Sequence, residues 1–89
     1  MNKSFNNVVI DLPERFVGYY LDHRVSIAMD EDGKFEGGVC IYGVIDIPLQ
    51  LSSSMEEAKL LAIRLIDFNE FHFMNGVQIT KDNAFLALR

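Results

Sequence analysis

Apolar and polar residues alternate with period two on both sides of an acidic, glycine-bearing stretch, Ala28 to Gly38. Before it, Leu21, His23, Val25, Ile27 and Met29 share one face, and Asp22, Arg24, Ser26 and Asp30 share the other. After it, Phe35, Val39, Ile41 and Ile45 line one face, and Lys34, Glu36, Cys40 and Asp46 line the opposite one. Period two is the strand pattern. Both apolar sets carry odd numbers, so a two-residue Asp32-Gly33 turn would set Met29 against Glu36 and spoil the match. A three-residue loop, Glu31-Asp32-Gly33, pairs Met29 with Phe35 and Val25 with Val39. That is a type I turn with a bulge, Gly33 taking the left-handed position that a Cβ resists. Gly37 and Gly43 fall on the inner face, opposite Ile27 and Leu21. They either leave room for bulky helix side chains or mark a bulge that would flip the face beyond it.

The next signal is helical. In "SSSMEEAKLLAIRLIDF", Ser53 with Glu56, or Ser54 with Glu57, forms a capping box, and acids in the first turn suit the helix dipole. At 100° per residue, Met55, Ala58, Leu61, Ala62, Leu65, Ile66, Phe68 and His72 make one broad stripe to cover the sheet. Asn75-Gly76 then stops the helix. Leu60, Ile63, Phe71 and Met74 form a second apolar line off that stripe. Either a terminal segment packs over that line or it is a dimer or partner surface.

At the ends of the chain the pattern is less decisive. "NVVIDL" suits a short strand. "DLPERF" offers an Asp11/Glu14 capping box with Pro13 in the first turn of a short helix reaching about Tyr20, while strand alternation running back to Val17 is the other reading. Beyond Gly76, "VQIT" alternates, "KDN" turns, and "AFLAL" is a strand or a last helical turn. The expected fold is a single α+β domain over residues 1–89, a small antiparallel sheet of three to four strands packed on one long α-helix. A chain of 89 residues has material for one modest core.

Composition narrows the function classes. Almost half the residues are apolar and a quarter charged, with no linker or low-complexity run, so the whole chain should fold. Its apolar runs are short and the N-terminus carries no long apolar core, so neither a membrane span nor a signal peptide is expected and the location is taken as cytoplasmic. One cysteine, Cys40, rules out an internal disulfide. A net charge of −5 argues against binding nucleic acid directly. It suits a soluble protein that meets a basic protein surface.

The acidic stretch is not a calcium loop. With Gly33 at the sixth position, Ala28 and Val39 stand where the first ligand and the terminal Glu belong; with Asp30 first, Phe35 replaces the obligatory Gly. No nucleophile elbow, phosphate loop, CxxC or HExxH occurs. The pleat sends His23 and Cys40 to opposite faces, so no metal, cofactor or catalytic residue is expected.

Two family resemblances follow. "VSIAMDEDGKFEGGVCIYG" with "IPLQLSSSMEEAKLLAIRLIDF" resembles the hairpin, short third strand and helix of HicB-type antitoxins, with "VIDIPLQ" in place of their Pro-Gly connection. If the Pro13 segment is helical, the order is also similar to a double-stranded-RNA-binding domain, with Glu56 and Glu57 standing where that family has lysines. The resulting expectation is a small acidic protein-binding module without catalysis: an antitoxin, an immunity protein or an anti-CRISPR-like inhibitor of a toxin or nucleic-acid-handling protein. Its candidate contact residues are Asp30, Glu31, Asp32 and Glu36 at the hairpin tip and Leu60, Ile63, Phe71 and Met74 on the helix. The alternative is a structural homo-oligomer built through the helix line, and the third reading is a small enzyme.

Overall fold

The computed structural model describes residues 5–74, and side chains as far as residue 69. Its elements run β1 (Asn6–Leu12), β2 (Arg15–Tyr20), β3 (His23–Met29), β4 (Phe35–Ile41), β5 (Ile45–Pro48) and α1 (Met55–Met74). The strands form one antiparallel meander in sequence order. The α+β class is as expected, but among the described residues the sheet has five strands rather than three or four. The difference lies mainly at residues 15–20, which take the strand alternative: Phe16, Gly18 and Tyr20 pair with Ile27, Val25 and His23. The Asp11/Glu14 capping signal is not used, because pairing along the whole length of β3 satisfies more backbone groups than one short helix could. Asn75-Gly76, "VQIT", "AFLAL" and the side chains of Phe71, His72 and Met74 lie outside the described residues.

The hairpin register is the one the alternation predicts. Met29 pairs with Phe35, Val25 with Val39 and Arg24 with Cys40. Asp30 N–H donates to the Lys34 carbonyl at 2.7 Å and Gly33 N–H to the Asp30 carbonyl at 3.2 Å, with Gly33 at φ 76°. Pairing continues from Ile27·Gly37 to Arg24·Cys40 without a shift, so there is no bulge at Gly37-Gly38. Gly37 has another cause: a Cβ there would fall on the Ser26 carbonyl oxygen and close against Ile27.

Paired residues of an antiparallel sheet share a face. Phe16, Tyr20, Val25, Ile27, Val39, Ile41 and Ile47 all point to one side, where Ala58, Ala62, Ile63, Leu65 and Ile66 of α1 cover them. The small Ala58 and Ala62 let the helix lie close over β3 and β4. Ser54 Oγ accepts from Glu57 N–H at 3.1 Å, so Ser54 is the N-cap, and the Glu57 carboxylate is held by the Ser53 hydroxyl at 2.8 Å. Upstream, Ser52 and Phe35 exchange two backbone hydrogen bonds of 2.8 and 2.9 Å, which pin the connection from β5 beside the start of β4. Phe5 packs edge-on against Phe16 at 4.8 Å, and Lys59 Nζ sits 4.5 Å above the Phe16 ring, closing the core on the β2 side.

Among the described residues β1 and β5 are the sheet edges, and both are blunted. β1 loses register between Asn6 and Ile10, with Asn7 left-handed at φ 48°. β5 has four residues and ends in Pro48, which has no N–H to offer. No helix among the described residues is long and apolar enough to cross a membrane.

Candidate functional site

The four acids predicted for the hairpin tip divide. Asp30 Oδ1 accepts hydrogen bonds from the backbone N–H of Asp32 and of Lys34, both at 2.9 Å. That carboxylate closes the loop on itself, as Asp does when it mimics a backbone turn. Glu31 and Asp32 are exposed at the loop, whereas Glu36 lies inside β4, paired with Ala28 on the face away from the helix. The tip therefore presents two acids beside Lys34, and Glu36 belongs to a different surface.

The helix line also divides. Leu60 is 60% exposed, but Ile63 is only 7% exposed and belongs to the core, which corrects the expectation that both line a partner surface. The two lie about 60° apart around the helix. Ile63 joins the buried cluster that the sheet residues form, and Leu60 lies outside it. Phe71 and Met74 fall outside the described side chains.

The structure assembles another surface at the opposite end of the sheet. In a meander the β2–β3 and β4–β5 turns lie side by side. Leu21 and Asp22 form the first turn, with φ of 50° and 67°. Tyr42 and Gly43 form the second, with φ of 52° and 70°, closed by Val44 N–H donating to the Ile41 carbonyl at 3.0 Å. Two successive left-handed residues suit the twist of a hairpin, and Asn or Gly ordinarily supplies them. Here bulky Leu21 and Tyr42 carry that conformation, a rarity for such side chains. Leu21 is 49% exposed, Tyr42 53% and Val44 80%.

His23, fully buried, supports this end from below. Its Nδ1 accepts the Tyr42 N–H at 3.1 Å, and the two rings meet edge to face at 4.4 Å. Period-two alternation by itself sets Leu21 in a strand facing the core. The two-residue gap, Leu21-Asp22, between two alternating runs is the sequence signal of the turn.

Cys40 sits between Arg24 of β3 and Asp46 of β5 on the face away from the helix. Burial first, then the hydrogen bond and charge of Asp46, push its thiol up, which keeps it protonated and weakly nucleophilic. Among the described residues no group of three or more His, Cys, Asp or Glu side chains could hold a metal ion. Comparison with protein-family models, with curated proteins and with solved structures returned no match.

Proposed function

We propose that the chain is a small acidic protein-binding module with no reaction of its own, an inhibitor of a toxin or of a nucleic-acid-handling protein in the manner of antitoxins, immunity proteins and anti-CRISPR-like proteins. The observation that carries protein binding is the pair of bulky left-handed residues, Leu21 and Tyr42, at one end of the sheet. Each such residue costs on the order of 1–3 kcal/mol, and Asn or Gly would relieve it. Strain of this kind, coupled to exposed apolar side chains, has a use when those side chains dock as rigid anchors on another protein. The inhibitor class rests on charge. A net charge of −5 steers the chain toward basic surfaces, and cytosolic proteins that handle nucleic acid present such surfaces.

The test compares immobilised wild type, a Leu21→Asp/Val44→Asp variant and a Glu31→Lys/Asp32→Lys variant as baits in cell extract. A protein retained by wild type, lost from the first variant and slowed but not lost with the second supports the reading. Purified, that protein's nuclease or toxin activity should fall on adding wild type. Equal retention by all three baits sinks it.

A further inference from the structure

We infer that the face of the sheet away from α1, uncovered among the described residues, is a cradle for one α-helix of a partner protein, laid across the strands with its N-terminus over β4–β5 and its C-terminus over β2. On this face the pairing lines up three cross-strand rows. The middle one runs Ile10, Val17, Ser26, Gly38, Pro48. An antiparallel sheet with one face in water normally alternates polar side chains outward. This row carries no charge, and its centre, Ser26 and Gly38, is the smallest part of the face. The consequence over β3–β5 is a shallow, open valley: two hollows of ≈ 300 and ≈ 550 Å³ share Ser26, Gly37, Gly38 and Pro48 as their floor.

Its dimensions select a helix. The bounding rows, Tyr19-Arg24-Cys40-Asp46 and Leu12-Arg15-Ala28-Glu36, stand four residues apart along the strands, about 14 Å. A helix with its side chains is about 10–12 Å across. From β2 to β5 four strands span about 14 Å, the length of about ten helical residues. An extended segment would instead need a sheet edge for its backbone, and both edges among the described residues are blunted.

Charge sets the direction. Exposed Arg15 and Arg24 stand on β2 and β3, and exposed Glu36 and Asp46 on β4 and β5. A helix dipole places its positive N-terminus toward the acids and its negative C-terminus toward the arginines. This chain's own α1 opens with Glu56 and Glu57, which that orientation would set against Glu36 and Asp46. A second copy is therefore the wrong occupant, and a partner helix with a basic or neutral first turn and an acidic last turn is the right one. The inference uses residues other than the turn end at Leu21 and Tyr42, so the two can fail separately.

The probe is an amphipathic Leu/Ala peptide of about 14 residues with Lys in its first turn and Glu in its last, set against the same peptide with the charges exchanged. Both are titrated into the full-length chain at low salt while backbone amide NMR signals are followed. The Lys-first peptide should bind about tenfold tighter or better, shifting Val17, Ser26, Gly38 and Cys40, and a spin label on its N-terminus should broaden Asp46 and Glu36 more strongly than Arg15. Ser26→Trp should abolish binding with an unchanged melting temperature, while Leu21→Asp/Val44→Asp should bind as wild type does. Equal affinity for the two peptides, no saturable binding, shifts confined to other surfaces, or a dimer in sedimentation that Ser26→Trp dissociates would each overturn the inference.

Discussion

The phenol of Tyr20 donates to Asp67 Oδ1 at 2.8 Å and so ties β2 to α1 across 47 residues of sequence. Burial, reinforced by the hydrogen bond and the negative charge of Asp67, pushes the Tyr20 pKa up from 10.0 to about 12. Because the folded-state value lies above the unfolded one, this tie contributes fully below pH ~10 and is lost as pH rises through about 12. Denaturant midpoints measured from about pH 8 to about pH 12 should fall more steeply for wild type than for Tyr20→Phe. At neutral pH the variant should be less stable by about 1 kcal/mol. Parallel curves for the two proteins would mean that the hydrogen bond carries no stability.

The hairpin loop yields a graded series. Gly33→Ala meets no neighbour within 4 Å, so its cost is conformational alone, on the order of 1 kcal/mol. Asp30→Ala removes the acceptor of two backbone N–H groups and should cost about 1 kcal/mol, while Asp30→Asn keeps an oxygen in place and should cost less. Thermal melts of the three variants check the order. A stable Asp30→Ala would show that the carboxylate is dispensable to the loop.

Leu21 is expected to be a residue whose replacement improves stability. Asn tolerates the left-handed conformation better than Leu, and the side chain is half exposed, so Leu21→Asn should raise stability by roughly 0.5–1 kcal/mol. The same change should weaken partner capture. A gain in stability with undiminished capture would remove Leu21 from the interface.

Leu60 and Ile63 should behave as opposites. Ile63→Glu places a charge in the core and should unfold the domain or cost about 3 kcal/mol or more, whereas Leu60→Glu should stay within about 0.5 kcal/mol of wild type. Circular dichroism melts separate them. Similar melts for the two would place both on the surface.

Asn69 lies in the helix face that meets the sheet, 3% exposed, and its Nδ2 has no hydrogen-bond partner among the described residues. Asn69→Leu should therefore raise the melting temperature, by an amount equivalent to about 1 kcal/mol. A fall would mean that the amide is satisfied from elsewhere in the chain.

Local periodicity alone determined the register of the β3–β4 hairpin, because a slip of one residue would turn every apolar side chain of Val25, Ile27, Val39 and Ile41 to the wrong face. Capping chemistry placed the start of α1 at Ser53 or Ser54, and in the structure Ser54 takes the role, its hydroxyl accepting the Glu57 N–H. Tertiary structure decided what periodicity leaves open. Residues 15–20 read as helix or strand until β3 lies beside them to complete their hydrogen bonds. Ile63 is buried in the common core with the sheet residues, although the helical stripe alone leaves it off the covered face. Leu21 shares the parity of the core residues yet points to solvent, because the chain turns one residue before the alternation ends. A pattern records which side chains share a face; only the packed neighbours decide whether that face is covered, and by what.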